Sequence, residues 1–132
     1  MPIKPDDVRG MAERYAEAWS SHSPDAVTAF YEVEGRISIN DGEVLAGRAA
    51  IAEMAQGFFD EFPDLVVRLD EIRVAGHNAV FLWTLEGTHF ETGNFVKVGG
   101  WEAWRLSDNL LVAESLGRFD AVEYDRQIAE GV

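Results

Sequence analysis

A chain of 132 residues that is 47% hydrophobic suits one domain with a substantial core, and is too apolar to stay disordered. Its 24 acidic against 11 basic residues give a net charge of -13, which opposes phosphate backbones and anionic lipids and so argues against nucleic-acid and membrane partners. The lack of cysteine excludes a disulfide framework, a thiolate metal site and a cysteine nucleophile, and it fits a reducing, cytoplasmic setting.

The first residues, Met1-Pro2-Ile3-Lys4-Pro5-Asp6-Asp7, contain no apolar leader core. No later stretch approaches the roughly 20 apolar residues that span a bilayer. Asp6 or Asp7 is placed to cap a helix over 8–21, in which Val8, Met11, Tyr15, Ala18 and Trp19 recur at helical spacing. Ser23-Pro24-Asp25 starts a short second helix, with Pro24 in its first turn and Ala26, Val27, Ala29 and Phe30 on its apolar side. Gly35 breaks that pattern. Residues 36–40 alternate as a strand, Asn40-Asp41-Gly42 reads as a turn, and 43–46 form a short partner. Gly47 leads into a third helix over 48–62, striped by Ile51, Met54, Ala55, Phe58 and Phe59 and stopped by Pro63.

The remainder is rich in strands. Two long ones, 65–74 and 79–91, flank the bend Gly76-His77-Asn78. A third covers 95–106, and a fourth covers 110–119 after the turn Ser107-Asp108-Asn109. Sequential strands joined by short turns predict an antiparallel meander, and 121–129 reads as a short closing helix. Helices first and a sheet second predict an α+β domain with the helices on one face of the sheet.

Three local patterns sit on this framework. Phe62-Pro63-Asp64 follows the third helix, and Trp83-Thr84-Leu85-Glu86-Gly87-Thr88-His89 runs along the second long strand. Glu114, Asp120 and Asp125-Arg126-Gln127-Ile128 close the chain. In this order they resemble the SnoaL-like group of the nuclear-transport-factor-2-like superfamily, which includes ketosteroid isomerase, scytalone dehydratase and the SnoaL-like polyketide cyclases. Departures from the group are Asn109-Leu110-Leu111 in place of Gly-Lys-Ile, Leu116 in place of Trp, and a shorter loop after His89. The resemblance covers nearly all of the chain and implies one SnoaL-like domain over 1–132. The implied fold is a cone-shaped, strongly curved mixed sheet, mainly antiparallel, with three N-terminal helices enclosing a small-molecule pocket.

Pleating divides the last strand into two faces. One carries Leu110, Val112, Glu114, Leu116, Arg118 and Asp120; the other carries Leu111, Ala113, Ser115, Gly117 and Phe119. The first face is assigned here to the pocket, with Glu114 and Arg118 as a buried ion pair. The small, weakly polar second face is assigned to packing against another copy of the chain. An Asp in this sheet is held to be the general acid/base of the SnoaL-like cyclases, which makes Asp120 the first catalytic candidate. The same position also suits an Asp that caps the closing helix.

His89 shares a strand face with Ala79, Phe81, Trp83, Leu85 and Gly87, and is the second catalytic candidate, as a proton shuttle or donor. A histidine satisfied by a backbone carbonyl at the strand end is the alternative. Tyr15, Trp19, Phe58, Trp83 and Trp101 are candidate pocket residues or plain core. Asn40 stands in the turn where ketosteroid isomerase-like proteins place a base, although Asn-Asp-Gly needs only a turn to explain it.

No phosphate-binding loop, dinucleotide fingerprint, nucleophile elbow or metal-ligand spacing is present, so no cofactor and no metal are expected. The expected function is binding of an apolar, carbonyl-bearing small molecule, with cofactor-independent cyclase, isomerase or dehydratase chemistry. The alternative is a non-catalytic ligand-binding or dimerisation module of the same fold, and a homodimer through the sheet is expected in either case.

Overall fold

A computed structural model describes residues 3–132; Met1 and Pro2, part of the segment read above as lacking a leader core, lie outside the described residues. The first helix, α1 (Pro5–Ser20), begins a turn earlier than the acidic pair implies, because Pro5 takes the first helical position, where a missing N–H is harmless. Lys4 precedes it without a side-chain cap, and Asp6 and Asp7 lie inside the first turn instead. There they favour the positive end of the helix dipole, and Asp6 also pairs with Arg9 at 3.1 Å. In α2 (Pro24–Thr28) the Ser23 hydroxyl accepts from the Ala26 amide at 3.2 Å and caps the helix, with Pro24 in the first turn as its position implies.

The strands are β1 (Tyr31–Ile39), β2 (Leu45–Ala46), β3 (Val66–Ala75), β4 (Asn78–Thr88), β5 (Phe95–Leu106) and β6 (Val112–Phe119), with α3 (Arg48–Glu61) after β2 and α4 (Ala121–Glu130) last. They form one mixed sheet in the order β2-β1-β6-β5-β4-β3. The meander from β3 to β6 is antiparallel throughout, whereas β1 joins β6 in parallel. The fold is thus the α+β, cone-like curved sheet with helices that the resemblance implies.

Gly35 does not end an element. It lies inside β1, at an irregularity of the β1–β6 ladder between Tyr31 and Arg36. A Cβ there would come within 2.9 Å of the carbonyl oxygens of Glu32 and Val112, so the two strands approach closely only because this residue has none.

α1 packs along β3, α3 against α2 and β1, and α4 against β5. The α4 contact is pinned by Gln127, whose side-chain oxygen accepts from the Lys97 amide at 2.7 Å, and by Asn94, which donates to the Ile128 carbonyl at 2.9 Å. Between helices and sheet lies an aromatic core in which Tyr15 meets Phe81 and Trp104 edge-on, each at 5.2 Å between centroids, and Phe81 stacks on Trp104 at 5.2 Å. Burial on this scale, at about 25 cal/mol per Å² of apolar surface, is the main force holding the helices to the sheet.

One irregularity decides what the last strand presents. In the β5–β6 ladder Arg105 faces Glu114, yet Leu106 faces Val112, so one extra residue of β6 bulges between them. The bulge inverts the pleat. Val112 is buried, but Glu114, Leu116 and Arg118 turn outward, and Ser115 and Gly117 turn inward. The face assignment made from the sequence is therefore reversed beyond the bulge. The Glu114–Arg118 ion pair is not formed either: Glu114 pairs with Arg36 at 3.0 Å, and Arg118 pairs with Asp41.

Candidate functional site

On the concave side of the sheet, the helices leave a half-open cavity of about 60 Å³. Trp19 of α1, Met54 and Phe58 of α3, Ile37 and Ile39 of β1, and Val67 of β3 form one side; Phe81, Trp83 and Leu85 of β4 and Gly117 and Phe119 of β6 form the other, with Arg118 at the border. That volume is room for a few waters or a ligand of few heavy atoms, and the walls are almost wholly apolar. Two glycines keep it open. Gly117 brings no side chain inward, and Gly100 makes room for Trp83, since a Cβ at residue 100 would stand 2.5 Å from the indole Cζ2.

The carboxyl on this cavity is Glu102 of β5. It alternates inward with Val96, Val98, Trp104 and Leu106, and only 7% of it is exposed. A cluster of neutral donors surrounds it. Ser115 donates to Oε1 at 2.7 Å, Trp104 Nε1 to Oε1 at 3.0 Å and Tyr31 to Oε1 at 3.3 Å. The Tyr15 hydroxyl reaches both oxygens, Oε1 at 3.0 Å and Oε2 at 3.1 Å, and shares a 2.8 Å hydrogen bond with Tyr31. Burial pushes the Glu102 proton affinity above the ordinary carboxyl range, and the four donors pull it back only in part. Burial beside this carboxyl likewise holds the Tyr15 and Tyr31 phenols well above their usual range, so both stay protonated.

Glu102 was not singled out in the sequence, although a carboxyl in the apolar inward row of β5 was a legible signal. Its partners come from α1, β1, β5 and β6, and Tyr15 is 87 residues away in the chain.

The residues that were singled out divide. Trp19, Phe58 and Trp83 line the cavity, Arg118 borders it, and Tyr15 stands behind its wall as a partner of Glu102. Asp120 does not face the cavity. It is exposed and caps α4, accepting from the Glu123 amide at 3.0 Å. It shares an open surface groove with Asn40, Trp101 and Arg118 at the strand ends. The side-chain oxygen of Asn40 accepts from the Phe119 amide at 3.0 Å within the turn. Glu114 and Trp101 lie on the outer face because of the strand parity already described.

His89 is buried, as its strand face implies, but in the turn after β4 rather than at the cavity. Its Nδ1 accepts from the amides of Glu91 and Thr92 at 3.2 and 3.4 Å, and Nε2 lies 3.4 Å from Glu61. Two of the sequence patterns meet here. Asp64 accepts from the Thr88 amide at 2.7 Å, and a Cβ at Gly87 would stand 3.0 Å from the Cβ of Phe62. These residues tie the end of α3 to the end of β4.

The helix-backed, open curved sheet is of the ketosteroid isomerase-like class of fold. Within it, the chain belongs to the SnoaL-like domain family, which it matches over residues 12–114. It is similar in structure to a protein of Jannaschia sp. CCS1 described as a SnoaL-like polyketide cyclase, at 20% identity and a TM-score of 0.85, covering 100% of this chain and 97% of that one. A protein of Catenulispora acidiphila with a ketosteroid isomerase-like fold, in complex with trimethylamine, is 15% identical with a TM-score of 0.79, covering 92% of this chain and 91% of that one. TsrD of Streptomyces laurentii is 18% identical with a TM-score of 0.83, covering 98% and 99%. At these identities the likeness is one of fold. No curated protein matches the sequence. Among the described residues, no helix is long and apolar enough to cross a membrane.

Proposed function

We propose that this SnoaL-like domain is a cofactor-independent enzyme that moves a proton within a small, largely apolar carbonyl compound, with Glu102 as the acid/base. The observation that carries this reading is a carboxyl of raised proton affinity at the floor of an apolar cavity. Such a group takes a proton from the carbon beside a carbonyl and returns it to another atom of the same ligand, so no co-reactant is consumed. Tyr15 supports Glu102 in this reading. Asp120 and His89 serve the fold, as a helix cap and a turn anchor. In the form described, the cavity suits a ligand of few heavy atoms; larger ones require Met54 and Phe58 of α3 to give way, and Met is the more adaptable of the two.

A second reading, a non-catalytic binding module, is favoured by the aromatic lining. Trp19, Phe58, Phe81, Trp83 and Phe119 around one carboxyl also suit a small alkylammonium ion, and the Catenulispora relative holds trimethylamine. A thermal-shift and turnover screen of cyclic ketones against methylated amines separates the two. A ligand at about 100 times its Kd stabilises the fold by roughly 2.7 kcal/mol. Ketone turnover that disappears in Glu102→Gln and survives in Asp120→Asn supports the enzyme. Binding of amines without turnover of any ketone replaces it with the module.

For assembly we propose a cytoplasmic homodimer formed through the outer face of the sheet, where Trp101 and Leu116 are 46% and 49% exposed beside Val80, Leu82 and Ala103. This is the opposite face from the one expected from the sequence. Light scattering is expected to give twice the chain mass, and Trp101→Glu is expected to halve it. A monomeric wild type would remove the proposal.

A further inference from the structure

The two oxygens of Glu102 are not equivalent. Oε1 lies within 3.3 Å of four donors, the hydroxyls of Ser115, Tyr15 and Tyr31 and the Trp104 indole N–H, whereas Oε2 is approached by the Tyr15 hydroxyl alone. A carboxylate oxygen has about two in-plane acceptor sites, so Oε1 is fully occupied and Oε2 retains free capacity. A proton on Oε1 would have to displace donors that are themselves buried and have no other carboxyl to turn to. A proton on Oε2 leaves every one of those bonds in place, with Oε1 as the carbonyl oxygen. We infer that Glu102 gains and loses its proton through Oε2 alone, and that Ser115 is the positioning residue that reserves Oε2 by holding Oε1.

Ser115 suits that task. It is fully buried, makes the shortest bond to Glu102, and is absent from the cavity wall, so it acts through the carboxyl and not on a ligand. The bulge that turns β6 over brings it inward, which gives that irregularity a consequence at the site. The groups that face the carboxyl from α1, β1, β5 and β6 are Tyr15, Tyr31, Trp104 and Ser115, all neutral donors. Arg118, the charged residue at the cavity border, is held by Asp41.

This rests on the reading of Glu102 as the proton-transfer group, but its test needs no ligand or turnover and fails separately. Protein with carboxyl-labelled glutamate is titrated by carbon NMR, and the protonated C=O stretch is followed by isotope-edited infrared spectroscopy; Glu102→Gln identifies both signals. A donor to the ionised form lowers the titration midpoint, so Ser115→Ala is expected to raise it by about one pH unit. Losing a bond to Oε1 is expected to move the C=O band to higher wavenumber. Ser115→Thr, which keeps the hydroxyl, restores both, and Trp104→Phe gives the same directions by removing a second Oε1 donor. An unchanged or lowered midpoint in Ser115→Ala and Trp104→Phe, or a C=O band that stays in place, overturns the inference even if Glu102 proves to be the acid/base.

Discussion

Glu102→Ala is expected to destabilise the protein by about 3–5 kcal/mol, the range seen when a buried, hydrogen-bonded group is deleted and its partners are stranded. The donors of Ser115 and Trp104 lose their only partner, and Tyr15 and Tyr31 are left with each other. All four are buried, and a water entering from the cavity could replace only part of what the two carboxylate oxygens accept. For a chain of this size the fall in Tm is roughly 10–20 °C. Glu102→Gln behaves differently. Its carbonyl keeps the Ser115 and Trp104 bonds, and the Tyr15 hydroxyl can turn to accept from the amide, so the expected cost is only about 1 kcal/mol. The pair therefore separates structure from chemistry: Ala weakens the fold, whereas Gln keeps its stability and removes the titrating proton. Urea midpoints of the three proteins check it, and an Ala variant as stable as wild type would mean that the cluster does not form in solution.

The same carboxyl is expected to reverse the usual dependence of stability on pH. Most native carboxylates have lowered proton affinity, and stability then rises as they ionise. Glu102 has a raised one, from an ordinary value of 4.5, so between that value and its folded value the native state holds the proton and the unfolded state does not. Its contribution is fully present below the unfolded value and is lost as pH rises through the folded one, at about 1.4 kcal/mol for each pH unit between them. Glu123 acts with the opposite sign. Hydrogen bonds from Arg126, then Gln127, hold it to about 2, so its contribution falls away only below the ordinary carboxyl range. The two windows meet near 4.5 and do not overlap.

Histidines and the general acidic repulsion contribute to wild type and Glu102→Gln alike, so the difference between their stability–pH curves isolates Glu102. It is expected to be flat below about pH 4 and to fall with rising pH above the ordinary carboxyl value. A difference curve that rises with pH instead would assign Glu102 a lowered proton affinity and leave the acid/base proposal without its physical basis.

Much of this protein was determined by the sequence alone, because local chemistry decides local structure. Helical spacing in α1, the Ser23 cap of α2, the stop of α3 at Pro63 and the span of β5 all follow from residues within a few positions of one another. The three patterns that point to the SnoaL-like family are local too, and two of them meet around His89 as parts of the scaffold. The aromatic part of the cavity lining was legible for a related reason: residues on an inward stripe or face, such as Trp19, Phe58 and Trp83, have nowhere else to go.

Only the tertiary structure decided which carboxyl meets the cavity. A single bulged residue in β6 reverses the pleat, and no alternation rule run along one strand can see the partner strand that creates it. That reversal sends Glu114 and Arg118 outward and Ser115 inward. The parallel pairing of β1 with β6 then places Tyr31 beside Tyr15 and within reach of Glu102. Burial in the assembled core raises the proton affinity of Glu102, and donors from four separate elements pull it back in part. The property belongs to the assembled core, where desolvation and donor geometry act together.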